Sequence, residues 1–317
     1  MKRNLSKRGE CLVNYDCIII GGGIAGLQAA IQLGRYRHHI LVIDSNNGRS
    51  NLCRAYHNIL GWPDGVSGEQ LRELGKKQAL HLGIHFMEDK ITEIRRQGEG
   101  FYLLSESGKE LKTSHILIAT GIIDRIPDFP EIYPCLGISV YVCPDCDGYE
   151  VLQQPTIVIG AGDVGANMAL TLYYWTQSIV YVNHEQTKIN PEILKKLNEK
   201  RIEVREQEIQ QIYADGSQFK GVKLADGQKI LAEKGFIALG GNQVKSELAT
   251  QIGVEVMENN HIVVDSRTKM TNVPNVWAAG DVVAHSEQVT IAMGDGSQAA
   301  IWIHKSLLET IRKGQAN

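Results

Sequence analysis

Two stretches of this chain repeat one local plan: a short apolar strand, a glycine-spaced turn, and a helix. The first runs from Asp16 through Cys17, Ile18, Ile19 and Ile20 into Gly21, Gly23 and Gly26. The second runs from Thr156 through Ile157, Val158 and Ile159 into Gly160, Gly162 and Gly165. Wholly apolar strands that end in glycines read as buried parallel strands. Helical spacing follows each turn, over Ile24 to Leu33 and over Ala166 to Trp175. A second apolar strand then follows, His39 to Ile43 with Asp44 at its end in the first copy, and Ser178 to Val182 in the second. Strand, turn, helix, strand and terminal acid together match the dinucleotide fingerprint. Gly21 permits the tight turn, Gly23 lets a pyrophosphate reach the backbone, and Gly26 lets helix and strand pack closely. The helix start, with Ile24 and Ala25, then faces the phosphate charge, and Asp44 accepts from ribose hydroxyls. The expected fold is α/β, with two Rossmann-like dinucleotide-binding domains.

One copy sits inside the other. A late apolar strand, Asn275 to Ala279, ends at Gly280-Asp281, and a helix begins after Thr290. It carries no third nucleotide turn, so it completes the first domain. The expected layout is a first part over residues 1–126, with 1–14 an extension, an inserted domain over 127–241, and a second part over 242–317.

A chain of 317 residues suits two domains with separate cores. Its 43% hydrophobic and 22% charged residues are those of a water-soluble globular chain, and a net charge of -3 gives no nucleic-acid footprint. No apolar run approaches a membrane span of about 18 residues. The basic, polar start has no apolar signal-peptide core. It reads as a plain extension, with docking to an anionic surface as the other reading, so membrane association stays open. Six cysteines in this length do not make a secreted disulfide framework, and a cytoplasmic redox or metal role fits better.

Between the two turns stands Cys143-Pro144-Asp145-Cys146-Asp147-Gly148. Two thiols at this spacing can close a small ring, one usually being activated as a thiolate. Their place between dinucleotide turns suggests a disulfide wired to a bound redox cofactor. The same spacing can ligate zinc, but a zinc site needs two more ligands and no second pair is present, so no metal is expected. Asp147-Gly148 is also an ordinary turn signal.

Taken together these motifs resemble the thioredoxin reductase family of flavoprotein disulfide reductases, over about residues 14–317. Gly21 to Gly26 and Asp44 are similar to its FAD-binding turn and ribose acid. Ala119-Thr120-Gly121 is similar to its Ala-Thr-Gly crossover, Cys143 to Gly148 to its redox site, and Gly280-Asp281 to its late flavin turn. The resemblance implies FAD, a discontinuous FAD domain with an inserted disulfide domain, and a homodimer. It further implies that Cys146 faces the flavin, that Cys143 exchanges with a partner, and that Asp147 handles protons. The partner it implies is a thioredoxin-like dithiol or disulfide protein, or a small dithiol. Asn51 is expected to contact the flavin. So are Gln288 and the helix start from Val289 to Ala292, whose N–H groups would favour an anionic reduced ring.

Two departures stand out. NADPH-using relatives end the strand after the second turn in His-Arg-Arg, whereas here it ends Asn183-His184-Glu185. Glu185 would repel a 2′-phosphate, though an acid could suit the free ribose of NADH. Second, Glu287 precedes Gln288 where the family has arginine. The retained Gly160, Gly162 and Gly165, with Asp163, Val164, Asn183 and His184, still suggest a second nucleotide or flavin site. The sequence therefore points to a flavin disulfide oxidoreductase that does not use NADPH normally and carries a second FAD, as diflavin-linked disulfide oxidoreductases do. A conventional NAD(P)H-dependent thioredoxin reductase is the alternative, and a flavin-based redox sensor or scaffold is the alternative of another class.

Overall fold

The computed structural model describes residues 14–315. The basic N-terminal stretch lies, through residue 13, outside the described residues. Two compact units make up the chain. One takes the described residues of Met1–Asn47, Leu74–Gly121 and Val244–Asn317, the other Gly48–Glu73 and Ile122–Gln243.

In the first unit, strands His85–Glu88, Ile40–Asp44, Asn14–Ile20 and Glu110–Ile118 lie side by side and parallel. Ile18 sits opposite Leu41 on one side and Ile116 on the other. Residues 17 to 20 are therefore covered laterally by strands and on both faces by other elements, which is why the run is apolar without alternation. Gly100–Ser105 and Ile91–Gln97 extend the sheet antiparallel. Val276–Ala278 pairs parallel with the far half of Glu110–Ile118, so a segment late in the chain completes the sheet.

The helices Ile24–Arg35 and Val289–Gln315 pack through small residues. Ala25, Ala29, Ala292, Ala299 and Ala300 are buried together, and a Cβ on Gly296 would run into the Ala25 carbonyl. Trp277 and Ile303 fill the same core; full burial of such a side chain stabilises by roughly 1.5–3 kcal/mol. His115 stacks on Trp277 at 5.6 Å between the hydroxyls of Ser114 and Ser306. Burial pushes its pKa down to about 4, so it is a neutral core residue.

The second unit holds a five-stranded parallel sheet. Its order is Glu203–Arg205, Ile179–Asn183, Thr156–Gly160, Lys234–Ala238, Val140–Tyr141. An antiparallel ladder of Ile209–Asp215, Gln218–Leu224 and Lys229–Leu231 adds to it. The fold is the expected α/β arrangement of two Rossmann-like domains.

One helix differs from its sequence reading. It spans Gly162–Leu172, not Ala166 to Trp175, so Tyr173, Tyr174 and Trp175 lie past its end. Tertiary contacts end it: the Trp175 carbonyl accepts from Gln153 N–H at 3.0 Å, and the indole packs beneath Gly148. Among the described residues, no helix is long and apolar enough to cross a membrane.

Candidate active site

Cys143 and Cys146 form a disulfide with their Cα atoms 5.3 Å apart. The strand Val140–Tyr141 delivers Cys143 in extended conformation, and Pro144 at the first helical position starts the turn Pro144–Asp147. Cys143 Sγ caps that turn, accepting from Cys146 N–H at 3.2 Å. The same contact would stabilise a Cys143 thiolate after the disulfide opens, because a backbone donor then faces a full charge. Both cysteines are partly exposed, whereas Asp147 is buried. Burial, and then the nearby charge of Glu150, raise the Asp147 pKa to about 7. A carboxyl poised there can hold or release a proton at neutral pH.

A third thiol nearby does not compete with the pair. Cys53 donates to the Ala55 carbonyl at 3.3 Å, and burial followed by the Asp147 charge push its thiol up to about 12. It stays a thiol at neutral pH. His57 Nδ1 lies 3.9 Å from Glu150 Oε1, so this histidine meets the acidic cluster. Tyr141 donates to the Ile138 carbonyl at 2.5 Å and accepts from Lys234 Nζ at 2.9 Å, which fixes the strand that leads into Cys143.

The first glycine turn divides its glycines by what occupies the missing Cβ positions. Gly21 has φ 109° and lies against the Ala119 carbonyl, and a Cβ on Gly26 would strike the Gly21 carbonyl. These two are required by the chain itself. A Cβ on Gly23 meets nothing within 4 Å, and the helix begins at the next residue, Ile24. An open approach to unpaired helix N–H groups fits a dinucleotide pyrophosphate. Asp44 ends the neighbouring strand and folds over the turn, within 2.9 Å of where a Gly22 Cβ would be. These residues fit FAD.

Ala119 N–H donates to the Ile20 carbonyl at 2.8 Å, Thr120 Oγ1 to the Lys245 carbonyl at 2.6 Å, and Gly121 has φ 66°. Gly280 N–H donates to Asp295 Oδ2 at 3.2 Å, and Asp281 follows it. The last helix begins at Val289, with Ala292 N–H donating to the Gln288 carbonyl at 2.9 Å. The N–H groups from Val289 to Ile291 thus precede the intrahelical ladder. Glu287, where the resemblance implied an arginine, lies 3.4 Å from His261 Nε2. Asn51 belongs to the short turn Arg49–Asn51 in the second unit, where Arg49 grips Asp124 through Nε at 2.6 Å and Nη2 at 2.5 Å.

At the second turn the chain fills its own gaps. Gly160 backs onto Gly165, and Gly165 onto the Tyr181 ring, whose hydroxyl donates to the Gly162 carbonyl at 2.8 Å. Gly162 has φ 47° and lies beneath Thr187 and Lys188. Asn183 is buried; its Oδ1 accepts from Gly162 N–H at 2.9 Å and its Nδ2 donates to the Thr187 carbonyl at 2.7 Å. His184 Nδ1 accepts from Ile209 N–H at 2.9 Å, and burial lowers its pKa. Asp163 accepts from Asn190 N–H at 2.6 Å, and Val164 is half exposed beside Gly240. Asn183 and His184 thus shape the loop over the turn, and Glu185 forms a bidentate ion pair with Arg125.

Sequence reasoning missed Arg125, Glu150, Asp295, Lys269 and His285. Asp295 holds Lys269 at 2.8 Å and also pairs with His285 beneath the Gly280 turn. Only Glu150 had a local signal, standing three residues beyond Asp147; the others find their partners across long stretches of chain.

Residues 15–296 match the family described as Pyridine nucleotide-disulphide oxidoreductase. A thioredoxin reductase of Aquifex aeolicus is 32% identical over 309 residues, covering 92% of this chain and 93% of that protein. The crystal structure of HlmI superposes with a TM-score of 0.85 at 28% identity, covering 96% of this chain and 95% of its own. Thioredoxin reductase from Giardia duodenalis superposes with a TM-score of 0.78 at 25% identity, covering 93% and 99%.

Proposed function

The chain belongs to the pyridine nucleotide-disulphide oxidoreductase family and is an FAD-dependent oxidoreductase; on that premise we propose that it works as a thioredoxin reductase. In this reading it draws electrons from a pyridine nucleotide and reduces a thioredoxin-like disulfide. The observation that carries it is the Cys143–Cys146 disulfide beside a buried Asp147 whose pKa is about 7. Exchange between dithiol and disulfide needs a thiolate and a group that takes or returns protons.

FAD, when bound, supplies a two-electron store that the redox disulfide draws on. Gly21 and Gly26 shape its turn, Gly23, Ile24 and Ala25 leave the pyrophosphate approach, and Asp44 receives its ribose. Ala119, Thr120, Gly121, Gly280, Asp281, Gln288, Val289 and Ala292 are proposed to complete its site. Cys146 serves the flavin side. Cys143, capped by the Cys146 N–H, attacks the partner disulfide. Asp147 gives a proton to the departing thiolate and regains one from solvent.

The nucleotide is proposed for the second turn, among Gly160, Gly162, Asp163, Val164 and Gly165, where the Thr187–Lys188 loop over Gly162 would give way to its phosphates. The Arg125–Glu185 pair is compatible with a nucleotide there, because Glu185 counts only against a 2′-phosphate and an acid suits a free ribose. A homodimer and a cytoplasmic setting are part of the proposal.

The test is flavin release from purified protein, followed by anaerobic bleaching and turnover with a thioredoxin. One FAD per chain, bleached within seconds by NADH or NADPH, is expected, with turnover lost in Cys143→Ser. Two flavins per chain would replace this reading with the diflavin one. Full turnover by Cys143→Ser would end the disulfide mechanism.

A further inference from the structure

The second turn lies at the carboxyl ends of the parallel strands Thr156–Gly160, Ile179–Asn183 and Lys234–Ala238. Open α/β sheets bind ligands at that edge. Asn183 stands opposite Gly160 in register, at the end of the strand next to the glycine turn, the place that Asp44 takes in the first copy. It is neutral and spends its amide on Gly162 and Thr187. The acid stands two residues later. Glu185 is held by Arg125 through two contacts, one of 3.2 Å, with side chains 32% and 46% exposed. Arg125 is itself placed by its N–H, which donates to Asn242 Oδ1 at 3.1 Å, and its stem passes Gly241. The pair therefore reaches solvent at the rim of the turn, fixed from two sides.

We propose that the Arg125–Glu185 pair is the nucleotide-selecting element of this enzyme, and that it favours a free adenosine ribose, hence NADH over NADPH. This rests on the reading that a pyridine nucleotide binds at the second turn. An ionised carboxylate offers about four lone-pair sites. Two are occupied by the guanidinium, and the rest can accept the 2′- and 3′-hydroxyls without breaking the pair. A 2′-phosphate gains little here, since the pair has no net charge and its carboxylate repels the incoming anion. Arg125 could serve that phosphate bidentately only by abandoning Glu185.

The probes are ADP-ribose and its 2′-phosphorylated form, titrated calorimetrically into the FAD-loaded protein. Wild type should bind ADP-ribose at least about tenfold more tightly. Glu185→Gln keeps the shape and frees Arg125, so the ratio should move toward the phosphorylated probe by about ten- to a hundredfold. Adding Arg125→Ala should cancel that gain. Both side chains are partly exposed, and unchanged melting curves will show that the variants fold; Glu185→Ala is the second variant. Wild-type preference for the phosphorylated probe, or an unchanged ratio in both Glu185 variants, overturns the proposal. Failure of both probes to bind any of these proteins removes the nucleotide reading beneath it, and the proposal with it.

Discussion

Gly23 and Gly26 stand three residues apart at one helix start, yet their missing side chains answer to different things. A Cβ on Gly26 collides with the Gly21 carbonyl, whereas a Cβ on Gly23 meets nothing within 4 Å. Gly23 has φ -74°, which any residue can adopt, so the chain does not need glycine there. That open side is where the proposed FAD pyrophosphate would approach. Gly23→Val should fold with a melting temperature near wild type and lose most of its flavin, by about tenfold or more in affinity. Gly26→Val should lose stability first, by about 1–3 kcal/mol or more from overpacking. Flavin absorbance and thermal melting of the two proteins check this, and equal destabilisation of both would remove the distinction.

Asp147 carries a cost to the fold. Its pKa is raised to about 7 by burial and by Glu150, so the folded chain holds a proton that the unfolded chain releases near pH 4. Stability is fully present at acid pH and falls as pH rises from about 4 to about 7. Asp147→Asn should abolish that slope and stabilise the protein above pH 7, by at most about 4 kcal/mol. The same change should slow disulfide exchange by about a hundredfold. Urea unfolding at pH 5 and pH 8, with turnover measured alongside, tests both halves. A variant both less stable at pH 8 and fully active would contradict them.

Glu150 acts on Asp147 from one helical turn away. Removing its charge in Glu150→Gln should lower the Asp147 pKa and move the midpoint of the pH–rate profile to more acid pH by about half a unit to one unit. His57, at 3.9 Å from Glu150, offers the control: His57→Ala leaves both carboxyl groups in place and should not move the midpoint to more acid pH. An unmoved profile in Glu150→Gln would assign the Asp147 shift to burial alone.

The parts of this site legible in the sequence are those made by neighbours along the chain. The strand-to-helix turns, the disulfide spacing and the late Gly280-Asp281 turn are local patterns, and steric rules for glycine and apolar strands reach them directly. The rest depends on pairings between distant segments. Glu185 reads as a bare negative charge until Arg125, some sixty positions away, is placed against it. Glu287 looks like a lost arginine until His261 is found 3.4 Å from it. Asn183 reads as a ligand because it ends a strand, yet Gly162 N–H and the Thr187 carbonyl claim both ends of its amide. The overlong helix has the same origin. Tyr173, Tyr174 and Trp175 have no helix-breaking chemistry, and Trp175 is drawn out by its packing against Gly148.

Arg49 and Asp124 should form the costliest single ion pair to break in the second unit. Asp124 is 6% exposed and takes two charge-assisted bonds from Arg49 and one from Asn242 at 3.2 Å. Asp124→Ala strips those donors of a buried acceptor and should cost about 3–5 kcal/mol. Asp124→Asn, which keeps one acceptor oxygen, should cost less. Equilibrium unfolding in urea checks the order, and equal small losses in both variants would make the pair dispensable.

His285, Lys269 and Asp295 form a charge cluster beneath the Gly280 turn, and its pH dependence has two limbs. The hydrogen bond to Asp295 raises the His285 pKa above its ordinary 6.5, against the effect of burial. That contribution is fully present below pH 6.5 and is lost as pH rises through the elevated value. Asp295 is pushed up by burial, but the hydrogen bonds from His285 and Lys269 together hold it below 3.8. Its contribution is present above that pH and lost as pH falls through the lowered value. Between the limbs, Asp295 accepts Gly280 N–H and keeps the turn closed. His285 is partly exposed, so solvent screening keeps its share below about 1 kcal/mol. Asp295→Asn should flatten both limbs of the stability curve and loosen the turn, read as faster flavin loss on dilution. His285→Gln should flatten the alkaline limb, make the acid limb shallower, and retain flavin better than Asp295→Asn, because Lys269 still holds the carboxylate. Identical pH profiles for wild type and Asp295→Asn would show that the cluster does not brace the turn.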